Sequence, residues 1–208
     1  MTADTDPAKP PRRWRDAPDT MLALAEGDLA ADRMPMPSLV AFAGDDALAI
    51  ATLRPFEEGE VVQALLELLA LLLPVGTDRV ALALPARVWS LEDPIPPVTG
   101  DVDLRTRVVL VITADAHGQA CQVTTILHPY EIGEDGCSWL EPVRPDEAPT
   151  APVVAALSLL LDERDKLVSD AREDDLRLAA QFGRVLLRGH ELALSPALAR
   201  RLEVATTC

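Results

Sequence analysis

The stretch at positions 61–73 constrains this chain more than any other. Between Val61 and Leu73 the only polar side chains are Gln63 and Glu67. An ordinary surface helix carries an apolar stripe of roughly 100° or a little more, whereas a helix apolar nearly all round must be covered on several sides. The segment therefore reads as a buried helix that lies under a sheet and has a second cover. That cover is either the C-terminal part of the chain or a second subunit. Burying each further Leu contributes about 1.5 to 3 kcal/mol, so an open face would be unfavourable. Pro74 stops the helix, a Pro-Val-Gly-Thr-Asp turn follows, and 79–89 reads as a strand. The apolar run is too short for a membrane span, which needs about 20 residues.

Around this helix the other elements fall in order. Residues 1–18 hold Pro, Asp, Thr and Arg with little apolar except Trp14, and are expected to form a disordered arm. Asp19 or Thr20 caps a helix to about residue 33, with Met21, Leu22, Ala25 and Leu29 on one face. The apolar runs 38–43 and 47–53, joined by Gly44-Asp45-Asp46, read as a hairpin. Pro85 makes strand 79–89 an edge strand, a bulged one, or one shorter than its pattern suggests. Val108 to Ile112 is apolar at every position, which predicts a central strand over 107–114. His117-Gly118 turns the chain into a strand over 120–128, which Pro129 ends. The segments 90–104 and 130–149 read as loops. Thr150 caps a helix over 151–168. Asp170 with Glu173 opens a second helix that runs to Arg188 and Gly189, and Ser195-Pro196 opens a third.

The expected fold is therefore α+β: a five-stranded, mainly antiparallel sheet with a buried central helix, an N-terminal helix and a C-terminal helical extension. The core domain spans 19–168 and the extension 169–208. The order α-β-β-α-β-β-β-α is similar to that of roadblock/longin and profilin-like architectures. This is a likeness of element order, and a shared fold does not confer function.

The formal net charge of −15 repels phosphate backbones and anionic membranes and favours basic partners. Arg supplies nearly all positive charge, since Lys9 and Lys166 are the only lysines. With abundant Ala and Pro, this is the usage of a GC-rich, bacterial genome. Aromatics make up 3%, leaving few rings to stack on bases or sugars. Three cysteines at irregular spacing argue against a disulfide framework. Arg12-Arg13-Trp14-Arg15 lacks the apolar stretch that an export signal needs, so a cytoplasmic location is expected.

No glycine-rich phosphate loop and no nucleophile motif is present in the sequence. His117, Cys121, His128 and Cys137 have the wrong spacing for a zinc finger, and positions 121 and 128 point to opposite faces of a regular strand. No cofactor or metal is expected. The loop carboxylates Asp45, Asp46, Asp101, Asp103, Glu131, Glu134 and Asp135 match no calcium loop. If the chain is an enzyme, His128 and Glu131 are the candidate acid–base pair, at a strand end beside an irregular loop. The arginines of the C-terminal helices, flanking Gly189, admit a helix-turn-helix DNA reader, although Glu173, Asp174, Asp175, Glu191 and Glu203 offset their charge. The leading expectation is a non-enzymatic interaction or regulatory module that binds another protein or itself.

Overall fold

The computed structural model describes residues 13–57, 59–88, 105–118, 120–133, 136–145, 152–168 and 175–207. The folded unit reaches further toward the N-terminus than composition suggests. A 3-10 turn at Trp14–Asp16 runs into helix α1 (Ala17–Ala30), with Pro18 in its first turn, where the missing N–H leaves no bond unmade. The Trp14 ring meets Phe42 edge to face at 5.4 Å, and the Arg79 guanidinium lies 5.7 Å over the same ring. Residues 13–18, read from composition as part of the arm, thus belong to the folded unit.

Strands β1 (Ser38–Ala43) and β2 (Asp46–Thr52) form the expected hairpin, with Gly44 at φ +59° in its turn. Helix α2 (Val61–Leu72) follows and closes in a 3-10 turn, where Thr77 Oγ1 donates to the Leu72 carbonyl at 2.7 Å. Next come β3 (Arg79–Val88), β4 (Thr106–Asp115), β5 (Gln122–Gly133) and the short β6 (Gly136–Trp139). Helices α3 (Pro152–Asp162), α4 (Arg164–Val168) and α5 (Asp175–Leu187) precede β7 (Glu191–Leu194) and α6 (Pro196–Thr207). The capping pair Asp170 and Glu173 lies outside the described residues.

The sheet is antiparallel throughout, in the order β6-β5-β4-β3-β1-β2-β7. It has seven strands rather than five. The two extra strands are its edges, each four residues long. One lies in the segment read as an acidic loop, the other in the extension read as wholly helical. Pro129 does not end β5. It falls between the Leu127–Val143 bridge and the Tyr130–Trp139 pair, where its nitrogen faces the outer side of β5 and its carbonyl still accepts from the Leu140 N–H at 2.9 Å. Pro85 is tolerated for a similar reason: pairing of β3 with β1 stops at Ala83, so β3 is an edge from there on.

Helices cover both faces. On one, Met21 and Ala25 of α1 pack on Val40, Phe42, Ala81, Ala83, Val109 and Val111. On the other, α2 lies on Leu39, Leu82 and Ile112. Its leucines 65, 68, 69, 71 and 72 are fully buried. The second cover that α2 requires is intramolecular: Leu157 and Leu161 of α3, with Leu178 and Val185 of α5, join the same cluster. At about 1.5 to 3 kcal/mol each, the five buried leucines contribute on the order of 10 kcal/mol, an upper figure because unfolded chains also bury apolar surface. Among the described residues no helix is long and apolar enough to cross a membrane.

Candidate functional site

The residues singled out from sequence are not brought together. Pairing of β4 with β5 is regular from Arg107–Tyr130 to Asp115–Gln122. In an unbroken strand, residues three apart point to opposite faces. His128 therefore shares the α1 face with Tyr130, while Glu131 is exposed on the other face, opposite Ser138. Burial holds the His128 ring below the ordinary histidine pKa, against the opposing field of Glu26. His117 Nδ1 instead meets Asp78 Oδ2 at 2.6 Å beside the β1–β2 turn. Burial, with the Asp162 carboxylate adding to it, pushes the Cys121 thiol up to about 11, so it stays protonated. Burial likewise raises Cys137. Among the described residues no group of three or more His, Cys, Asp or Glu side chains is placed to hold a metal ion.

The helix-turn-helix pattern resolves differently. Gly189 adopts φ +92°, and the chain then forms β7 before α6 starts. The two helices are joined through a strand of the sheet rather than through a direct turn.

A cluster that sequence reasoning missed is centred on Glu67, only 7% exposed on the apolar α2. Arg54 Nε donates to its Oε2 at 2.9 Å, and Arg54 Nη2 to its Oε1 at 3.3 Å. Arg188 Nη1 reaches Oε1 at 2.7 Å. His190 Nε2 lies 2.9 Å from Oε2, and His190 Nδ1 accepts from the Arg54 backbone N–H at 3.1 Å. This network assigns the imidazole proton to Nε2. The Arg54 hydrogen bond, helped by His190 and the two guanidinium charges and opposed by burial, holds the Glu67 carboxyl at about 2. Both ring nitrogens of His190 are engaged and its side chain is wholly buried, so neither lone pair nor proton is presented to a substrate. The cluster clamps the exit of β2, the middle of α2 and the entrance of β7 together.

A recess of about 1010 Å³ with converging polar groups lies at the end of the sheet where β3 ends and β4 begins. Leu29, Phe56, Val61, Leu84, Leu110 and Val153 supply apolar wall, and Met34 and Ile132 stand at its rim. Arg33, Arg87, Arg105, Arg107 and Tyr130 supply the polar part. Arg87, Arg107, Tyr130 and Trp139 lie side by side across β3, β4, β5 and β6. Burial raises the Tyr130 hydroxyl pKa, against the pull of Arg107 and Arg87.

No protein-family model matches the chain, and neither a curated protein nor a solved structure matches it.

Proposed function

We propose that this protein is a cytoplasmic, non-catalytic interaction or regulatory module that docks another protein at the corner where α2 and α5 meet. The observation that carries the reading is the apolar surface left there. The Glu67–Arg188 ion pair, at 2.7 Å, draws the end of α5 against the middle of α2. Their sequence neighbours stay open to solvent: Leu66 is 41% exposed, Leu186 45% and Leu187 89%. Exposed large apolar groups that gather in one place mark interaction surfaces more often than scattered ones do. A groove of about 400 Å³ between the same two helices is lined by Ala70, Pro74, Leu178 and Ala180 with Arg177, Gln181 and Arg184. Because α3 and α5 already cover α2, self-association is one form of this docking rather than a requirement of the core. The order of core elements, with β6 added after β5, also supports the proposed architectural likeness to roadblock/longin and profilin-like domains.

A photo-crosslinking residue in place of Leu187 tests the reading, with one in place of Leu159, 64% exposed on α3, as the control. The expected result is a discrete adduct from position 187 that position 159 does not give, and that Leu66→Asp removes. Light scattering at micromolar concentration tells a second copy from a different partner. Equal or absent adducts from the two positions overturn the proposal.

A further inference from the structure

The recess at the sheet end plays no part in that docking, and its chemistry is different. We infer that it is a binding site for a small amphipathic anion, a molecule with an aliphatic body and a carboxylate head. Ligand sites are mostly apolar concavities of roughly 300 to 1,000 Å³ with a few placed polar groups. This recess, at about 1010 Å³, stands at the upper end of that range, with aliphatic and aromatic walls contributed by both faces of the sheet.

The sign of its charge is what identifies the ligand. The chain carries 34 acidic and 19 basic residues, yet four arginines line this one recess, with Asp32 the single carboxylate among the described lining residues. Arg87 and Arg107 face each other directly on neighbouring strands, an arrangement that repels. Arg33 is matched by Asp28 at 2.7 Å. Arg87 Nη1 donates to the Arg105 carbonyl at 3.2 Å, and both residues have further partners. Arg107 is half-buried and has no hydrogen bond or ion pair among the described residues. A guanidinium carries five N–H donors in a planar fork that fits a carboxylate with two parallel hydrogen bonds. Arg107 therefore receives the head group, with the Tyr130 hydroxyl beside it and the field of Arg87 and Arg105 behind it. The aliphatic body lies along Leu29 and Cys137, on the α1 face that Arg107 shares with Tyr130, toward the rim at Met34.

Calorimetric titration of the full chain with decanoate, below its micelle concentration and at low salt, tests the assignment. Decanol and decyltrimethylammonium serve as chain-matched neutral and cationic controls. The expected result is saturable one-to-one binding of decanoate, at least tenfold tighter than decanol, with no saturable binding of the ammonium. Arg107→Gln is expected to weaken decanoate about ten- to a hundredfold, the range for losing a hydrogen bond to a charged group, and to leave decanol unchanged. Met34→Asp, at a rim position 75% exposed and so without consequence for folding, is expected to weaken both. If Arg107→Gln does not fold, the wild-type ligand series and Met34→Asp decide alone. Decanoate binding no tighter than decanol overturns the proposal. So does an acidic, leucine-bearing peptide that binds where decanoate does not, which would assign the recess to a protein partner.

Discussion

Replacing Glu67 by Gln removes one charge from the most heavily hydrogen-bonded carboxylate among the described residues while keeping its shape. The carboxyl is 6% exposed, its Arg54 partner 17%, and Arg188 55%, so Arg54 and His190 dominate and the solvated Arg188 adds least. A pKa lowered from 4.5 to about 2 is worth about 3 kcal/mol at 1.36 kcal/mol per unit. The sign follows from the depressed value: the folded state binds this proton more weakly than the unfolded chain. The contribution is therefore complete above about pH 5 and is lost as pH falls toward 2. At pH 3 about 1.5 kcal/mol of it remains. Urea unfolding of the wild type and Glu67→Gln at pH 7 and at pH 3 measures both quantities. The variant is expected to be less stable by about 3 kcal/mol at pH 7, with the gap narrowing by about 1.5 to 2 kcal/mol at pH 3. A gap that stays constant between the two pH values refutes the idea that an ionised Glu67 fastens these elements.

Three further outcomes follow from the same geometry. His190→Ala leaves the Arg54 N–H and Glu67 Oε2 without their buried partner, so stability should fall by about 2 to 4 kcal/mol. Hydrogen exchange should then speed up in β7 before it does in β4 or β5. Trp14→Ala removes the edge-to-face contact with Phe42 and the Arg79 cation over the ring, and is expected to lower stability by about 1 to 3 kcal/mol in a chemical melt. No change would return residues 13–18 to the arm. Gly44→Ala forces a side chain to φ +59° and should cost about 1 to 2 kcal/mol, read as a lowered Tm. Steric crowding adds little, since the nearest atom, His117 Cε1, would be 3.6 Å from the new Cβ.

The elements that sequence made legible are those with enough residues to display a period. The i, i+4 run Met21, Ala25 and Leu29, the nearly all-apolar α2, and the unbroken Val108–Ile112 stretch each announce their burial, and most of their apolar positions are buried, with Leu66 and Ala70 exposed and Val61, Val62 and Leu110 half-buried. Edges β6 and β7 are too short for this. Gly136–Trp139 and Glu191–Leu194 show two alternations apiece, which a loop or a helix end shows as readily. The cut at Pro129 failed because a proline stops a strand only where a ladder bond would have been made. The Glu67 cluster was half visible. A carboxylate on a nearly apolar helix demands buried donors, but nothing local says that they come from 13 and 123 residues away. Strand parity, which already separated Cys121 from His128, also separates His128 from Glu131.

Strand β7 has a consequence for biosynthesis. On the ribosome, β2 emerges early and finds β1 at once, yet its outer edge has no neighbour until residues 191–194 appear. Until then the nascent sheet exposes one raw margin, and the Arg54–Glu67 pair waits for the imidazole that completes it. Unpaired margins of this kind recruit strands from other chains. Strand β7 therefore acts as the selvedge of the fold, and a product that stops before it is prone to self-adhesion.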